Sequence, residues 1–244
     1  MGCWTVANYY CSYLGYVAMK KYTTLYFDLD NTLLDFSAAE YKAIRKLFTL
    51  HNLPISDEKI AKYSAINHTW WQRFEKGEIK KEEIYSGRFR EYLEFYGLDG
   101  DPIKMAEDYF DFLSEGYDLI DGADKALDYI KQKGYTVCIT TNGMSRTQYR
   151  RINNCTIKQY FDYIFVSEDA GHQKPEVEYF DYVMANTPEK DKSKILVIGD
   201  SMSSDILGGI NFGVDTCWLN PKGDPEQYKT TYEITNIMQI CDIL

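Results

Sequence analysis

The sequence predicts an α/β fold in which a doubly wound parallel sheet carries an inserted all-helical cap. An uncharged run of β-branched, aromatic and aliphatic residues at 23–27 indicates a strand buried on both faces. Helical periodicity then continues for about 80 residues, from 37 to 115. From residue 116 onward, predicted strands alternate with helices. This alternation is typical of a parallel sheet with right-handed crossovers.

The same patterns divide the chain. Its 244 residues suffice for a sizeable core and one insertion. We expect residues 19–36 and 116–244 to form the α/β core, and residues 37–115 to form the helical cap. Residues 1–18 are uncharged and lack periodicity, so we expect an extension outside the fold. The positive residues follow this stretch, whereas a secretory signal carries them in front of it.

The predicted cap consists of amphipathic helices. Ser37 and Glu40 match a capping box, which places the start of the first helix there. The apolar residues, many of them aromatic, recur at helical spacing and are expected to form the cap's own core. An arginine in a helix usually lies on the solvent-exposed face, and this is the favoured interpretation for each cap arginine. Three of them are also candidates for contact with a substrate: Arg73, Arg88 and Arg90.

Composition limits the classes of partner. The net charge of −10 disfavours a nucleic acid polymer or an anionic membrane as the main partner. A small phosphorylated metabolite remains compatible, because local lysines, amides and a metal can outweigh the overall charge. The six cysteines include no C-x-x-C pair, and with three histidines they do not fit zinc spacing. Cys138 and Cys217 fall in apolar runs and are predicted to be buried thiols, which indicates a reducing, cytoplasmic environment.

Two carboxylates follow the first predicted strand. Asp28 and Asp30 are two residues apart in an extended chain, so their side chains project to the same side. Ligands of open α/β sheets bind just beyond the carboxyl ends of the strands. Two anions this close normally require a cation or a shared proton. An Asp-x-Asp pair alone is more often an ordinary strand exit, so the interpretation depends on later residues.

Polar residues also follow the later predicted strands. The Thr141-Asn142-Gly143 turn combines a hydroxyl group with backbone amides that a glycine leaves exposed, an arrangement suited to a phosphate group. Lys174 precedes Pro175, which favours an extended lysine beside the carboxylates. An ordinary turn and a solvated lysine are the alternative interpretations of these two segments.

Two further acids follow the predicted strand at 195–198. Asp200 and Asp205 stand at a strand-to-helix corner, where a helix N-cap would account for one of them but not both. All these loops follow strands, so they converge on one edge of the sheet. Hard oxygen ligands without clustered His or Cys point to Mg²⁺. The candidate metal residues are Asp28, Asp30, Asp200 and Asp205.

In this order, the segments resemble the motifs of the haloacid dehalogenase superfamily of phosphohydrolases. The matching segments are Asp28-Leu29-Asp30-Asn31-Thr32, Thr141-Asn142-Gly143, Lys174-Pro175, and Gly199-Asp200 with Asp205. The resemblance covers about residues 20–244 and implies a Rossmann-like core whose small cap lies between the first and second motifs. Further segments are most similar to those of pyrimidine 5′-nucleotidases: 30–36, 74–79, 205–213 and 216–221.

The resemblance implies the catalytic roles. Asp28 would attack phosphorus and form an aspartyl-phosphate. Asp30 would protonate the leaving ribose oxygen and then take a proton from the hydrolytic water. Thr141, the Asn142 amide and Lys174 would bind the transferring group. The enzyme would be a Mg²⁺-dependent phosphomonoester hydrolase, with a pyrimidine nucleoside 5′-monophosphate as its expected substrate and a monomer or homodimer as its expected state.

The resemblance also implies a metal site. Mg²⁺ would be held by Asp28, the main-chain carbonyl of Asp30, and Asp200, and would screen the attack of one anion on another. Asp205 would either complete this site through water or orient Lys174. The sequence leaves these two alternatives open.

Other functions use related residues. A sugar-phosphate phosphatase or a phosphomutase would keep the same loops and differ in the cap. A dehalogenase needs no acid at the second position, so Asp30 favours the phosphatase. A serine esterase built on Ser201 would require a histidine beyond His172, and the sequence has none. A phospho-aspartate regulatory protein without turnover is the alternative from another class, although receivers of that kind carry no helical insertion after the first strand.

Overall fold

The structure is a computed structural model that describes residues 21–244. Within these residues, the strands are β1 (Thr24–Phe27), β2 (Thr136–Thr141), β3 (Tyr163–Val166), β4 (Ile195–Gly199), β5 (Asp215–Leu219) and β6 (Tyr232–Ile234). They form one parallel sheet in the order β3-β2-β1-β4-β5-β6. The doubly wound α/β prediction is therefore confirmed. The predicted extension at residues 1–18 lies outside the described residues.

The helices of the described residues are α1 (Phe36–Leu50), α2 (Asp57–Glu75), α3 (Lys81–Tyr96), α4 (Pro102–Leu113), α5 (Ala123–Gln132), α6 (Ser145–Asn154), α7 (Ser167–Ala170), α8 (Val177–Ala185), α9 (Leu207–Phe212) and α10 (Ile240–Ile243). Helices α1 to α4 come between β1 and β2, and we refer to these four helices as the cap. Among residues 21–244, no helix is both long and apolar enough to cross a bilayer.

Strand β1 lies at the centre of the sheet, where the strand order changes direction. Its side chains alternate between the two faces, with Leu25 and Phe27 in one apolar cluster and Tyr26 in the other. Burial on both faces explains why the strand contains no charged residue. Phe27 is in register with Ile139 of β2 and Ile198 of β4. The loops that follow these strands therefore emerge side by side.

The cap has its own aromatic core, as predicted. Tyr63 of α2 stacks on Phe89 of α3, with ring centroids 5.1 Å apart. Phe48 of α1 stacks on Tyr92 of α3 at 5.0 Å. All of these rings are fully buried. Such pairs stabilise the contacts between helices beyond the burial of apolar area alone.

The predicted capping box at the start of α1 is wrong. The N-cap is Asp35, whose Oδ1 accepts a hydrogen bond from the Ala38 amide at 2.8 Å. Glu40 is buried in the cap and accepts a hydrogen bond from Asn67 Nδ2 at 2.7 Å, so it does not reach back to the helix start. A capping glutamate normally stays near the surface at the third helical position, whereas Glu40 lies on the inward face of α1.

Strand β6 was not predicted from the sequence. It pairs in parallel with β5, and Cys217 is in register with Tyr232. A strand of three residues is too short to show a clear alternation of apolar and polar positions. Pairing with β5 therefore determines this element. Cys138 and Cys217 are buried in the sheet, as expected from their apolar surroundings.

Candidate active site

A cavity of about 900 Å³ lies between the cap and the carboxyl edge of the sheet. The ends of β1, β2 and β4 meet there because the strands are parallel and in register. The candidate catalytic, phosphate-binding and metal residues all line this cavity: Asp28, Asp30, Thr141, Asn142, Lys174, Asp200 and Asp205. The structure thus brings together residues that are up to 177 positions apart, from Asp28 to Asp205.

Lys174 is fixed among oxygen atoms and is only 1% exposed. Its Nζ donates to Asp28 Oδ1 at 2.6 Å, Asp205 Oδ1 at 2.7 Å and the Thr140 carbonyl at 2.8 Å. Burial by itself lowers the pKa of Lys174, but the charges of Asp205 and Asp28 outweigh it and raise this pKa above its ordinary value. The residue is therefore a permanent cation, and its orientation is set.

Three carboxylates form a compact group beside Lys174. One oxygen each of Asp28, Asp200 and Asp205 can be chosen so that all lie within 4.8 Å of one another. Burial raises the pKa of Asp28 to about 7, with Asp205 and Asp30 adding to the effect and Lys174 opposing it. Burial and the charges of Asp28 and Asp205 also raise the pKa of Asp200 well above its ordinary range.

This donor set suits a divalent metal ion. The single positive charge of Lys174 does not balance the negative charges of three carboxylates. The carboxylate oxygens are hard ligands of the kind that Mg²⁺ prefers. The side chain of Asp30 does not belong to the group. For Asp30, this leaves the main-chain carbonyl as the candidate metal ligand.

The corner after β4 leaves both of its acids available to the site. The N-cap of the wide helical turn at Met202–Ile206 is Ser201, whose Oγ accepts from the Ser204 amide at 3.2 Å. The alternative that an aspartate caps this helix is therefore wrong. A Cβ on Gly199 would lie 2.1 Å from Asp205 Oδ2, so only glycine leaves room for the carboxylate at this strand end.

The turn after β2 is tied to the Lys174 loop. Asn142 Nδ2 donates to the Lys174 carbonyl at 2.8 Å, and the Lys174 amide donates to Asn142 Oδ1 at 2.9 Å. The Asn142 side chain therefore joins the two loops, which leaves its main-chain amide as the candidate for phosphate binding. Thr141 Oγ1 accepts from the Gly143 amide at 3.1 Å.

Two residues of α6 that the sequence did not single out contact Asp30. Gln148 Nε2 donates to Asp30 Oδ2 at 2.7 Å, and Arg151 Nη1 donates to Asp30 Oδ1. Both of these side chains are almost completely buried. Helix α6 also carries arginines at 146 and 150 that are exposed, and no sequence signal distinguishes Arg151 from them.

Helix α2 contributes six residues to the cap side of the cavity. Its lining residues recur at helical spacing and include one tryptophan: Ser64, Asn67, His68, Trp71, Gln72 and Glu75. The sequence pattern does not single out Trp71, because the apolar residues at helical spacing on this helix are assigned to the core of the cap. Of the candidate arginines, Arg88 lines the cavity and donates to Asn67 Oδ1 at 2.6 Å. Arg73 pairs with Glu78 at 3.7 Å, and Arg90 is exposed.

The cap contacts the core at the turn that follows β2. Lys81 of α3 donates to the Gly143 carbonyl at 2.8 Å and to Ser167 Oγ at 3.2 Å. Burial lowers the pKa of Lys81, and the nearby Glu168, 3.2 Å away, opposes this effect. A second contact between cap and core is the hydrogen bond that Ser203 Oγ donates to Glu75 of α2. The cap is thus seated on two of the loops that line the site.

The model of the haloacid dehalogenase-like hydrolase family matches residues 25–219. The chain belongs to this family. The match runs from β1 to the end of β5 and contains every candidate catalytic residue described above. The resemblance seen in the motifs is therefore confirmed, and the chain is a member of a hydrolase family.

Similar proteins of this hydrolase family align over nearly their full length. HAD-hydrolase YfnB of Bacillus subtilis (strain 168) is 42% identical over 228 residues, which cover 93% of this chain and 97% of YfnB. A crystal structure of YfnB bound to magnesium superposes with a TM-score of 0.87, covering 92% of this chain and 99% of that one.

Two similar proteins are pyrimidine 5′-nucleotidases. PynA of Streptococcus pneumoniae (strain ATCC BAA-255 / R6) is 33% identical over 227 residues, covering 91% of this chain and 95% of PynA. YjjG of Escherichia coli (strain K12) is 30% identical over 226 residues, covering 92% of this chain and 98% of YjjG.

Proposed function

We propose that the protein is a Mg²⁺-dependent phosphomonoester hydrolase that acts through an aspartyl-phosphate and prefers pyrimidine nucleoside 5′-monophosphates. The observation that carries the proposal is the placement of Asp28 and Asp30 in one cavity. Asp28 lies beside the Lys174 ammonium, and Asp30 is held separately by α6. The two carboxylates therefore have different surroundings and are suited to different roles.

Asp28 is assigned as the nucleophile. Lys174 engages Oδ1 of Asp28 at 2.6 Å, so we assign attack on phosphorus to the other oxygen. The same ammonium offsets the negative charge that the transferring phosphoryl group brings into the cavity. We assign Thr141 and the Asn142 amide, at the end of the neighbouring strand, to binding of this group.

Asp30 is assigned as the general acid and base. It is half-buried, and its carboxylate faces the same cavity as Asp28. Asp30 donates a proton to the leaving oxygen of the substrate, which would otherwise depart as a poorly stable alkoxide. It then removes a proton from the water that attacks the phosphorylated Asp28.

The acidic group of Asp28, Asp200 and Asp205, with the main-chain carbonyl of Asp30, would hold Mg²⁺. When bound, this ion supplies a positive charge that lowers the repulsion between the carboxylate and the phosphate. Asp205 also accepts a hydrogen bond from Lys174, so its role in the site includes orientation of the ammonium.

The preference for a pyrimidine nucleotide rests on the cap and on the similar proteins. The cavity wall formed by α2 combines the Trp71 ring with polar groups of Asn67, His68 and Gln72. A flat heteroaromatic ring can stack on an indole and form hydrogen bonds at its edge. YjjG and PynA, which are named as pyrimidine 5′-nucleotidases, align over more than 90% of this chain.

The test is the release of inorganic phosphate from a panel of pyrimidine and purine 5′-monophosphates and sugar phosphates, with Mg²⁺ or with EDTA. We expect release that depends on Mg²⁺ and is fastest for pyrimidine nucleotides, and none from the Asp28→Asn variant. Faster phosphate release from sugar phosphates than from pyrimidine nucleotides would show that the proposed substrate class is wrong. No release from any phosphomonoester would indicate a binding protein without turnover.

A further inference from the structure

The Asp30 carboxylate is held on both of its oxygens by one helix. Gln148 donates to Oδ2 at 2.7 Å, and Arg151 donates to Oδ1. The two donors are three residues apart on α6, a spacing that places them on the same helix face. Arg151 Nη1 also donates to Gln148 Oε1 at 3.0 Å, so the two side chains orient each other.

Gln148 links Asp30 to the turn after β2. Its Nε2 donates to Thr141 Oγ1 at 2.8 Å as well as to Asp30. A Cβ on Gly143 would lie 2.4 Å from Gln148 Nε2, so the glycine of this turn leaves the space that the glutamine occupies. The candidate acid and the candidate phosphate-binding hydroxyl are therefore held by the same amide group.

Arg151 links Asp30 to the point where the chain returns from the cap. Its Nε donates to the Gly116 carbonyl at 2.6 Å, three residues after the end of α4. A Cβ on Gly116 would lie 2.3 Å from the Ala39 Cβ, so this segment packs tightly on α1. The guanidinium is 0% exposed, and its Nη2 has no hydrogen-bond partner among the described residues.

Burial of a guanidinium carries a large desolvation cost unless its donors are engaged. The engaged donors of Arg151 bind the Asp30 carboxylate, Gln148 and the cap connection, rather than groups elsewhere in the core. A general acid works only within hydrogen-bond reach of the oxygen it protonates. A displacement of about 1 Å can lower a rate by about 100-fold.

We propose that Gln148 and Arg151 are positioning residues for Asp30, and that Arg151 makes the position of this acid depend on the seating of the cap. The inference rests on the role assigned to Asp30 in the proposed function. The α6 residues act on the reaction through Asp30, because their donors bind its two carboxylate oxygens. They fix the carboxylate at the place where the leaving oxygen of the substrate lies.

The test compares substrates whose leaving groups differ in their need for a proton. In Arg151→Met, transfer of the phosphoryl group from a nucleotide should slow about 10- to 100-fold, a part of the full contribution of a general acid. With p-nitrophenyl phosphate, whose leaving group needs no proton, the rate constant of the initial burst should change less than about threefold. Arg151→Lys keeps the charge but loses the planar fork, so an intermediate loss is expected.

Arg150→Met is the matched control. Arg150 lies on the same helix, is exposed, and pairs with Asp111 at 2.9 Å rather than with Asp30. This variant should leave the ratio of the two substrate rates unchanged. If Arg151→Met does not fold, Gln148→Met provides the comparison, because it removes a neutral amide of similar size.

Asp30→Asn, measured alongside, separates the inference from the proposed function. If Asp30→Asn shows the dependence on leaving group and the folded α6 variants do not, the positioning role is wrong. Equal losses for both substrates in the α6 variants would also overturn it, because that result indicates a general structural defect. If Asp30→Asn itself shows no dependence on leaving group, the role of Asp30 is wrong and the inference fails with it.

Discussion

Asp205 accepts a hydrogen bond from Lys174 Nζ at 2.7 Å, and both side chains are almost inaccessible to solvent. Its other oxygen accepts from the Ser201 amide at 3.1 Å. The sequence leaves open whether Asp205 completes the metal site through water or orients Lys174. The hydrogen bond from Lys174 Nζ supports orientation of the lysine. Asp205 also belongs to the carboxylate group that suits Mg²⁺, so one side chain connects the fixed ammonium with the candidate metal site.

The first prediction separates Asp28 from Asp30 with p-nitrophenyl phosphate. Asp30→Asn should phosphorylate Asp28 and then stall, because no base activates the hydrolytic water. Rapid mixing should show a nitrophenol burst near one equivalent per site, while steady nucleotide turnover falls by about 10²–10⁴-fold. Asp28→Asn should show no burst, provided that the sample is checked for deamidation. A burst from Asp28→Asn, or full nucleotide turnover by Asp30→Asn, would show that the roles are wrongly assigned.

The second prediction concerns Mg²⁺ and stability. An ion that binds only the folded chain stabilises it, by about 2.7 kcal/mol at 100 times its Kd. For a chain of this size, that corresponds to a rise in melting temperature of about 5–10 °C. Asp200→Asn should lose most of this rise. Without metal it should melt no lower than the parent, because repulsion within the carboxylate group is reduced.

The control for this prediction is Asp181→Asn, which removes an exposed carboxylate from α8. It should retain the full response to Mg²⁺ in the same thermal melt. An Asp200→Asn protein that responds to Mg²⁺ as strongly as the parent would place the metal elsewhere.

The third prediction tests whether Trp71, in the cavity wall formed by α2, stacks on the base of the substrate. Trp71→Ala should lower kcat/KM for pyrimidine nucleotides by about tenfold, since stacking on an aromatic side chain contributes roughly 1–3 kcal/mol per base. The value for glycerol phosphate, which has no ring, should change far less. Trp70→Ala is the matched control, because Trp70 donates to Glu91 Oε2 at 2.8 Å and does not line the cavity. If both substitutions change the ratio of kcat/KM for pyrimidine nucleotides to kcat/KM for glycerol phosphate equally, a role of Trp71 in recognising the base is contradicted.

The fourth prediction concerns the pH dependence of stability. Burial raises the pKa of Glu40 above its ordinary value of 4.5, although hydrogen bonds from Ser64 and Asn67 oppose this effect. The unfolded chain therefore releases this proton at a lower pH than the folded chain does. Glu40 consequently weakens the folded state as pH rises above 4.5.

Glu40→Gln removes this ionisation and keeps an oxygen that can accept from Asn67. The melting temperature of the variant minus that of the parent should therefore grow over the pH range that begins near 4.5 and ends at the raised pKa of Glu40. Glu94→Gln, at an exposed position of α3, should show no such trend. A constant difference for Glu40→Gln across this range would contradict the prediction.

The α/β core and the main candidate site residues could be predicted because they depend on local patterns and one topological rule. Buried strands appear as uncharged runs such as 23–27. Parallel strands direct their carboxyl ends to the same edge of the sheet. The sequence therefore predicts that Asp28, Lys174 and Asp200 lie close together, and each of them lines the same cavity.

Only the tertiary structure decided which helix residues face the site and what their partners are. Nothing in the sequence of α6 distinguishes buried Arg151 from exposed Arg150. The same limit applies to Glu40, which matched a capping position but lies inside the cap. The orientation of a helix about its axis is set by the elements packed against it. A charged side chain becomes buried only where those elements supply its hydrogen-bond partners.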